Sequence, residues 1–306
     1  MKVPKQLNAL IEDGLVDEVL RQLMSGKEAT IFIVRCGDQI RCAKVYKDAS
    51  KRSFKKAVQY REGRHVRNTR RGRAMEKGSK FGKKEQEDIW QNAEADALFL
   101  LSQSGVRVPK PYGCFEGVLL MELVTLEDGN VAPRLNDVTM TPEQARKDHL
   151  TLMNAVVRML CAGIVHGDLS EFNVLNNESG PIIIDLPQAV NAAGNNNARA
   201  MLVRDVRNIT NYYGRFAPDL LKTKYAPEIW AHYEAGTLSP DTQLTGRFKD
   251  TRKKADVKGV LNEVEFAAKE NQDRLRRLRE REQLEKEQHP PPSRKKKNGR
   301  NRRRRH

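Results

Sequence analysis

The stretch His166-Gly167-Asp168-Leu169-Ser170-Glu171-Phe172-Asn173, followed twelve residues later by the Asp185 that ends Ile182-Ile183-Ile184-Asp185, decides how this chain is read. Asp168 and Asn173 stand five residues apart in a polar turn between β-prone segments. A helix would set such a pair on diverging faces, whereas a loop lets the carboxylate and the amide converge. Asp185 emerges from an apolar run, where a carboxylate can hold a hard cation. Transfer of a terminal phosphoryl group asks for a carboxylate on the incoming hydroxyl, oxygen ligands for Mg²⁺, and a cation on the phosphates. In this pattern Asp168 takes the first role, and Asn173 and Asp185 take the second. A His-Gly-Asp triplet alone would mean little; the full H-x-D-x-x-x-x-N with its downstream Asp is specific.

Working upstream, Lys44 lies in Cys42-Ala43-Lys44-Val45 on a predicted strand, where it can point inward. Its expected partner is Glu94, on an amphipathic helix read over Ile89–Ser104, and the pair would fix an ammonium against phosphates. Each has a plainer reading, as a solvated edge lysine and an ordinary surface acid. Ser25-Gly26-Lys27-Glu28-Ala29 precedes the β-prone run Thr30–Val34. It can lay backbone N–H groups, the Ser25 hydroxyl and the Lys27 ammonium over phosphates, or it is a simple turn. It is not a Walker A loop, which needs a second glycine four residues before Gly-Lys-Ser/Thr.

Apolar residues from Leu7 to Leu23 recur mostly at three- and four-residue intervals, which predicts helix over 5–24, interrupted near Gly14. Thr30–Val34 and Gln39–Tyr46 read as a hairpin, and Phe115–Val124 as a strand pair around Glu116-Gly117. The strongest helix signal covers 142–163, with Thr141 as cap, Pro142 at the first position and Gly163 as the stop. Further helices are expected over 198–215 and 217–235, and a charged helix-like stretch over 257–288.

Charge is unevenly placed. The chain carries a formal +16 over 306 residues. Residues 47–84 hold 15 Lys/Arg against three acids, and 289–306 hold nine against none, so the remainder is mildly acidic. Two basic appendages on an acidic body point to a polyanionic partner, RNA or a ribonucleoprotein, through 47–84 and 289–306. The bland alternative is a solubilising role. The tail cannot form a core and is expected to be disordered without a partner. Four cysteines without C-x-x-C spacing, no apolar leader and no run approaching the ~18 residues of a membrane span lead to the expectation of a soluble, reduced, cytoplasmic protein without membrane contact.

Taken together, these residues resemble the RIO family of atypical serine/threonine protein kinases over roughly residues 10–235. Ser25–Ala29, Lys44, Glu94, the His166–Asn173 loop and Ile184-Asp185-Leu186-Pro187-Gln188 each fall where that family's motifs fall. Tyr60-Arg61-Glu62-Gly63, Met121-Glu122-Leu123-Val124 and Ala132-Pro133 add to the match. The resemblance implies an α+β, two-lobed, protein-kinase-like fold. Residues 1–124 would form the N-terminal helix and β-rich N-lobe, 125–250 a reduced helical C-lobe, and 251–306 a charged helix and basic tail. It implies ATP as co-substrate with Mg²⁺ (or Mn²⁺), and Ser25, Lys27, Lys44 and Glu94 about the nucleotide. The backbone of Glu122 and Val124 would hold the adenine, with Met121 behind it. Asp168 would be the catalytic aspartate, and Asn173 and Asp185 the metal ligands. Asp185 is in that family also discussed as a phosphoryl acceptor, which would make the protein as much an ATPase switch as a kinase.

Departures from ordinary protein kinases are equally plain: no G-x-G-x-x-G, no Arg before Asp168, no Phe-Gly after Asp185 and no Ala-Pro-Glu. The stretch after Asp185 is too short for the usual activation segment, which leaves the protein substrate unspecified. About 24 residues precede Ser25, too few for a winged helix, so the resemblance is to the shorter type-one branch. Two other readings share the central motif: a small-molecule kinase of the aminoglycoside or choline type, and an ATP-gated RNA-binding module without turnover.

Overall fold

A computed structural model describes residues 3–26, 28–47 and 93–249. Lys27, the basic segment beyond Lys47, the charged stretch 257–288 and the tail 289–306 lie outside the described residues. Contacts group residues 1–248 into one unit and 249–306 into another. Both lobes and the candidate site belong to the first unit.

The chain opens with helix α1 (Lys5–Glu12) and strands β1 (Glu18–Ser25), β2 (Ala29–Cys36) and β3 (Gln39–Tyr46). Helix α2 is described over residues 93–103, and β4 (Pro111–Phe115) and β5 (Val118–Glu122) complete a five-stranded antiparallel sheet in the order β1-β2-β3-β5-β4. The turn between β4 and β5 places Glu116 and Gly117 at φ 46° and 78°, the positive-φ pair that a two-residue hairpin favours.

Alternation along β2 and β3 divides the sheet into two faces. Phe32, Val34, Ala43, Val45, Val118 and Leu120 form one, and α1 covers it with Leu7 and Leu10. The opposite face presents Lys44 and Tyr46 towards α2. Residues 18–25 correct the helix expected over 5–24: the helix ends at Glu12, and the chain continues as an edge strand. The apolar spacing is misleading there because β1 is irregular, with register shifts between Val19 and Arg21 and between Gln22 and Met24. Each shift breaks the two-residue alternation that would have marked a strand. The ladder to the β-branched run of β2 wins over the weak helical periodicity.

The second lobe is mostly helical. α3 (Pro142–Cys161) starts as expected: the Thr141 hydroxyl accepts from the Gln144 N–H at 3.2 Å, and Pro142 occupies the first turn. Short strands β6 (Ile164–Val165), β7 (Val174–Asn177), β8 (Gly180–Ile183) and β9 (Val190–Asn191) follow, then α4 (Ala198–Tyr213) and α5 (Tyr225–Glu234). β7 pairs with β8 and β6 with β9, both antiparallel. One apolar core runs from Tyr46, Leu98, Leu101 and Leu119 to Leu152, Val157, Ile183, Leu202 and Ile209, so both lobes close on a shared interior.

The packing of α1 sets a stability contrast. Leu10 is 1% exposed and Leu15 is 37% exposed. Leu10→Ala is expected to cost about 2–5 kcal/mol and Leu15→Ala within about 0.5 kcal/mol, read from urea unfolding of the full chain. Equal losses would contradict the covered sheet face.

Candidate active site

The His166–Asn173 loop links β6 to β7, and Asp185 follows β8, so the β6–β9 pairing and the β7–β8 hairpin bring the loop and Asp185 together. Lys44 reaches them from β3. Its Nζ donates to Glu94 Oε1 and to Asp185 Oδ1, both at 2.6 Å. Lys44 is 7% and Glu94 3% exposed. Glu94 is held in turn: the Tyr46 hydroxyl donates to Oε2 at 2.6 Å, and the Leu186 N–H donates to Oε1 at 3.3 Å. Burial disfavours a charged Lys44, yet the carboxylates of Glu94 and Asp185 outweigh it and hold the ammonium above the ordinary lysine range. Burial pushes the Tyr46 phenol far up, with Glu94 adding to it, so Tyr46 stays a donor.

Asp185 sits at φ 66°, one of two non-glycine residues with positive φ among those described. Aspartate tolerates this region better than most side chains, and here the kink follows directly on the buried β8. Burial alone would raise its carboxyl; Lys44 first, then His166 and Arg134, reverse that and leave it depressed.

The catalytic-type loop is fastened on two sides. His166 Nε2 lies 3.1 Å from the Ile184 carbonyl, and the Asp168 N–H donates to His166 Nδ1 at 3.3 Å. The Ile184 N–H donates to the Asn173 carbonyl at 3.0 Å, tying the loop to the strand that delivers Asp185. Asn173 Nδ2 donates to the Asp168 carbonyl at 2.8 Å, which leaves its amide oxygen to meet a cation.

From beneath, α4 grips the same loop. Asp205, 2% exposed, accepts from the Gly167 N–H at 2.8 Å and the Leu169 N–H at 3.1 Å. Arg204 donates to the Gly167 carbonyl and Asn208 to the Leu169 carbonyl. Burial raises the Asp205 carboxyl to about 6, against the pull of His166, the two N–H groups and Arg204. The motifs do not point to Asp205, although a carboxylate between Leu202, Val206 and Ile209 on an otherwise apolar helix face is a usable signal.

Of the remaining expected residues, those described lie on β1, on β5 and at the connection between lobes. Ser25 ends β1, and its hydroxyl lies 3.3 Å from Thr30 Oγ1. Lys47, which no motif marks, donates to Ser25 Oγ at 3.0 Å and to the Gly26 carbonyl at 2.5 Å, pinning that turn. Lys27 lies outside the described residues. Met121 and Glu122 end β5, where the Glu122 N–H donates to the Lys110 carbonyl at 2.8 Å. Val124 packs with Ala132 and Ile182 at the connection between lobes. For a hard cation, the donor set of one carboxylate (Asp185) and one amide oxygen (Asn173) suits Mg²⁺, which keeps several waters and leans on substrate phosphates. Among the described residues no group of three or more His, Cys, Asp or Glu could form a dedicated metal cage. No described helix is long and apolar enough to cross a membrane.

A family model described as RIO domain matches residues 30–226. Among curated relatives, the RIO-type serine/threonine-protein kinase Rio1 of Haloferax volcanii is 32% identical over 211 residues, 69% of this chain and 68% of the relative. A protein of the same name from Methanocaldococcus jannaschii is 30% identical over 213 residues, 68% of this chain and 67% of the relative. The serine/threonine-protein kinase RIO1 of Chaetomium thermophilum is 28% identical over 229 residues, 70% of this chain but only 43% of that longer relative. The matched span contains every element that carries Lys44, Glu94, Asp168, Asn173 and Asp185, and on that match the chain belongs to the RIO family of protein kinases.

Proposed function

We propose that this kinase uses Mg²⁺-ATP, transfers the terminal phosphoryl group to a serine or threonine hydroxyl or to water, and works on a ribosomal particle or other ribonucleoprotein in the cytoplasm. The observation that carries the ATP reading is Lys44, bridging Glu94 and Asp185 beside a loop that presents Asp168. An ammonium has three donors. Glu94 and Asp185 take two, and the third is left for a phosphate oxygen.

In the reaction, Asp168 orients the acceptor hydroxyl and takes its proton as the new O–P bond forms. The bond between the bridging oxygen and the terminal phosphorus breaks, and ADP leaves with that electron pair. Asn173 and Asp185 would hold Mg²⁺, which supplies charge neutralisation on the phosphates when bound. Adenine would lie at the connection between lobes, against the backbone of Glu122 and Val124 with Met121 behind. Ser25, with Lys27, would cover the phosphates, and the Lys47 contacts favour a turn already shaped for that cover. Asp185 as a phosphoryl acceptor is compatible with its φ of 66° and its 44% side-chain exposure.

The ribonucleoprotein part rests on charge: two basic stretches on an otherwise mildly acidic chain. RNA affinity is expected to fall steeply and linearly in log–log with salt, and to weaken on deletion of 289–306. Salt-independent binding, or binding untouched by the deletion, would count against it.

Two tests address the chemistry. Lys44→Ala and Asp168→Ala should each lower Mg²⁺-dependent ATP turnover or autophosphorylation by at least about 100-fold, with Asp168→Ala retaining ATP affinity. Unchanged turnover in both variants would sink the reading. The pH profile tests the Asp205 grip. As pH falls through about 6, Asp205 is neutralised and its hold on the Gly167 and Leu169 N–H groups weakens, so kcat should drop. Because its folded pKa lies above the unfolded value near 4, the native state binds the extra proton between those values. This group therefore adds stability as pH falls through that window. The acid limb in kcat should appear without a matching fall in Tm from this group, and should flatten in Asp205→Asn, whose kcat is already low.

A further inference from the structure

Arg134 is not absorbed by the roles above. It follows Ala132-Pro133 in the segment leading from the connection between lobes to α3, and its backbone is fixed on every side. It bridges Leu175 of β7, while the neighbouring Pro133 carbonyl accepts from the Asn176 N–H at 3.0 Å. The Asn136 N–H donates to the Glu171 carbonyl of the catalytic-type loop at 3.1 Å. The carbonyl of fully buried Leu135 accepts from the Tyr212 hydroxyl of α4. The side chain is therefore launched from a rigid platform joined to both β7 and the loop that holds Asp168.

Its guanidinium crosses towards the other lobe. Nη2 lies 2.9 Å from the Met24 sulfur, next to Ser25 in the turn expected over the phosphates. A thioether is a weak acceptor, and a guanidinium has five donors in a fixed fork. Among the described residues no carboxylate pairs with Arg134. Its backbone partner Leu175 pairs in turn with Ile182 of β8, the strand that runs on to Asp185. A partly exposed arginine between the Ser25 turn and Asp185, with only a sulfur as partner, is poised for an oxyanion that arrives between them.

We propose that Arg134 is a phosphate-binding residue of the cleft, its guanidinium taking non-bridging oxygens of the terminal phosphoryl group of a nucleoside triphosphate that lies between the Ser25 turn and Asp185. This rests on the ATP reading above and extends it with a second cation, delivered from the helical lobe opposite Lys44. Arginine meets phosphate with two parallel N–H···O bonds, so the contact also fixes the orientation of the group about to be transferred. A strut between lobes is the competing role, and it would act through Met24 rather than through a ligand.

The test is calorimetric binding of Mg²⁺ with the non-hydrolysable analogue AMP-PNP, and separately with ADP, to the full chain and to Arg134→Met, Arg134→Lys and Met24→Leu. Thermal melting verifies that each variant is folded. Arg134→Met should bind AMP-PNP about 10- to 100-fold more weakly while keeping ADP affinity within about threefold, Arg134→Lys should fall between, and Met24→Leu should match the parent for both. Equal loss of AMP-PNP and ADP, no loss of either, or the same loss in Met24→Leu would overturn the assignment while leaving the ATP reading intact. A parent chain that binds neither nucleotide would remove the ATP reading and this one with it.

Discussion

The arrangement depends on one buried cation. Lys44 is removed from water, and an ammonium in that position is tolerable only while carboxylates stay within hydrogen-bond reach. Glu94 and Asp185 supply them at 2.6 Å each, and they come from α2 and from the end of β8, far from β3 in sequence. Removing one partner from a buried pair such as Lys44–Glu94 typically costs about 3–5 kcal/mol, and with Asp185 the sheet, α2 and the β7–β8 hairpin meet at a single nitrogen. Tyr46 and the Leu186 N–H extend the coupling by taking two further acceptor sites of Glu94. The shared apolar core beneath, from Leu101 and Leu119 to Ile183, keeps these elements at the separation the lysine can span.

The loop bearing Asp168 shows how a reduced kinase lobe can keep a catalytic geometry. Only a short connection separates Asp185 from α4, and the grip on the loop comes instead from α4 itself. Asp205 takes two loop N–H groups, Arg204 and Asn208 donate to two loop carbonyls, and these bonds reach both sides of Asp168. Backbone groups that would otherwise be unsatisfied in a buried turn are thereby accounted for. A loop held at its peptide groups leaves the Asp168 side chain unencumbered for a substrate.

Much of this is legible in the amino-acid sequence, and the reasons differ by residue. The polar spacing from Asp168 to Asn173 and the apolar run before Asp185 are local patterns. The start of α3 is a local pattern too, because Thr141 and Pro142 act within one turn. Lys44 and Glu94 are legible because strand alternation and helix amphipathicity each point them inward. β1 reads wrongly as helix because two register shifts erase the alternation by which a strand is recognised. Lys47 is not legible because its partners, the Ser25 hydroxyl and the Gly26 carbonyl, sit far away in sequence, and Asp205 shows only as a carboxylate on an apolar helix face, because pairing with loop N–H groups leaves no side-chain motif. Arg134 stays hidden for a related reason: its significance lies in what surrounds it across the cleft.

The contact between Lys44 and Asp185 raises the question of how one carboxylate would serve both an ammonium and the metal ion proposed for the cleft. A carboxylate has two oxygens and about four lone-pair sites. Lys44 occupies Oδ1, while 44% of the Asp185 side chain stays exposed, so the carboxylate would keep an oxygen for the proposed Mg²⁺ without displacing the lysine. The positive φ at Asp185 helps here, since it turns the residue out of the buried line of β8 just where exposure is needed. The depressed carboxyl then has a chemical use: it stays ionised across the working pH range, ready to accept a cation. Without such neighbours, desolvation alone would push the carboxyl upward, towards its protonated form. The lysine that makes the fold expensive to open would in this sense also help keep the proposed metal ligand charged.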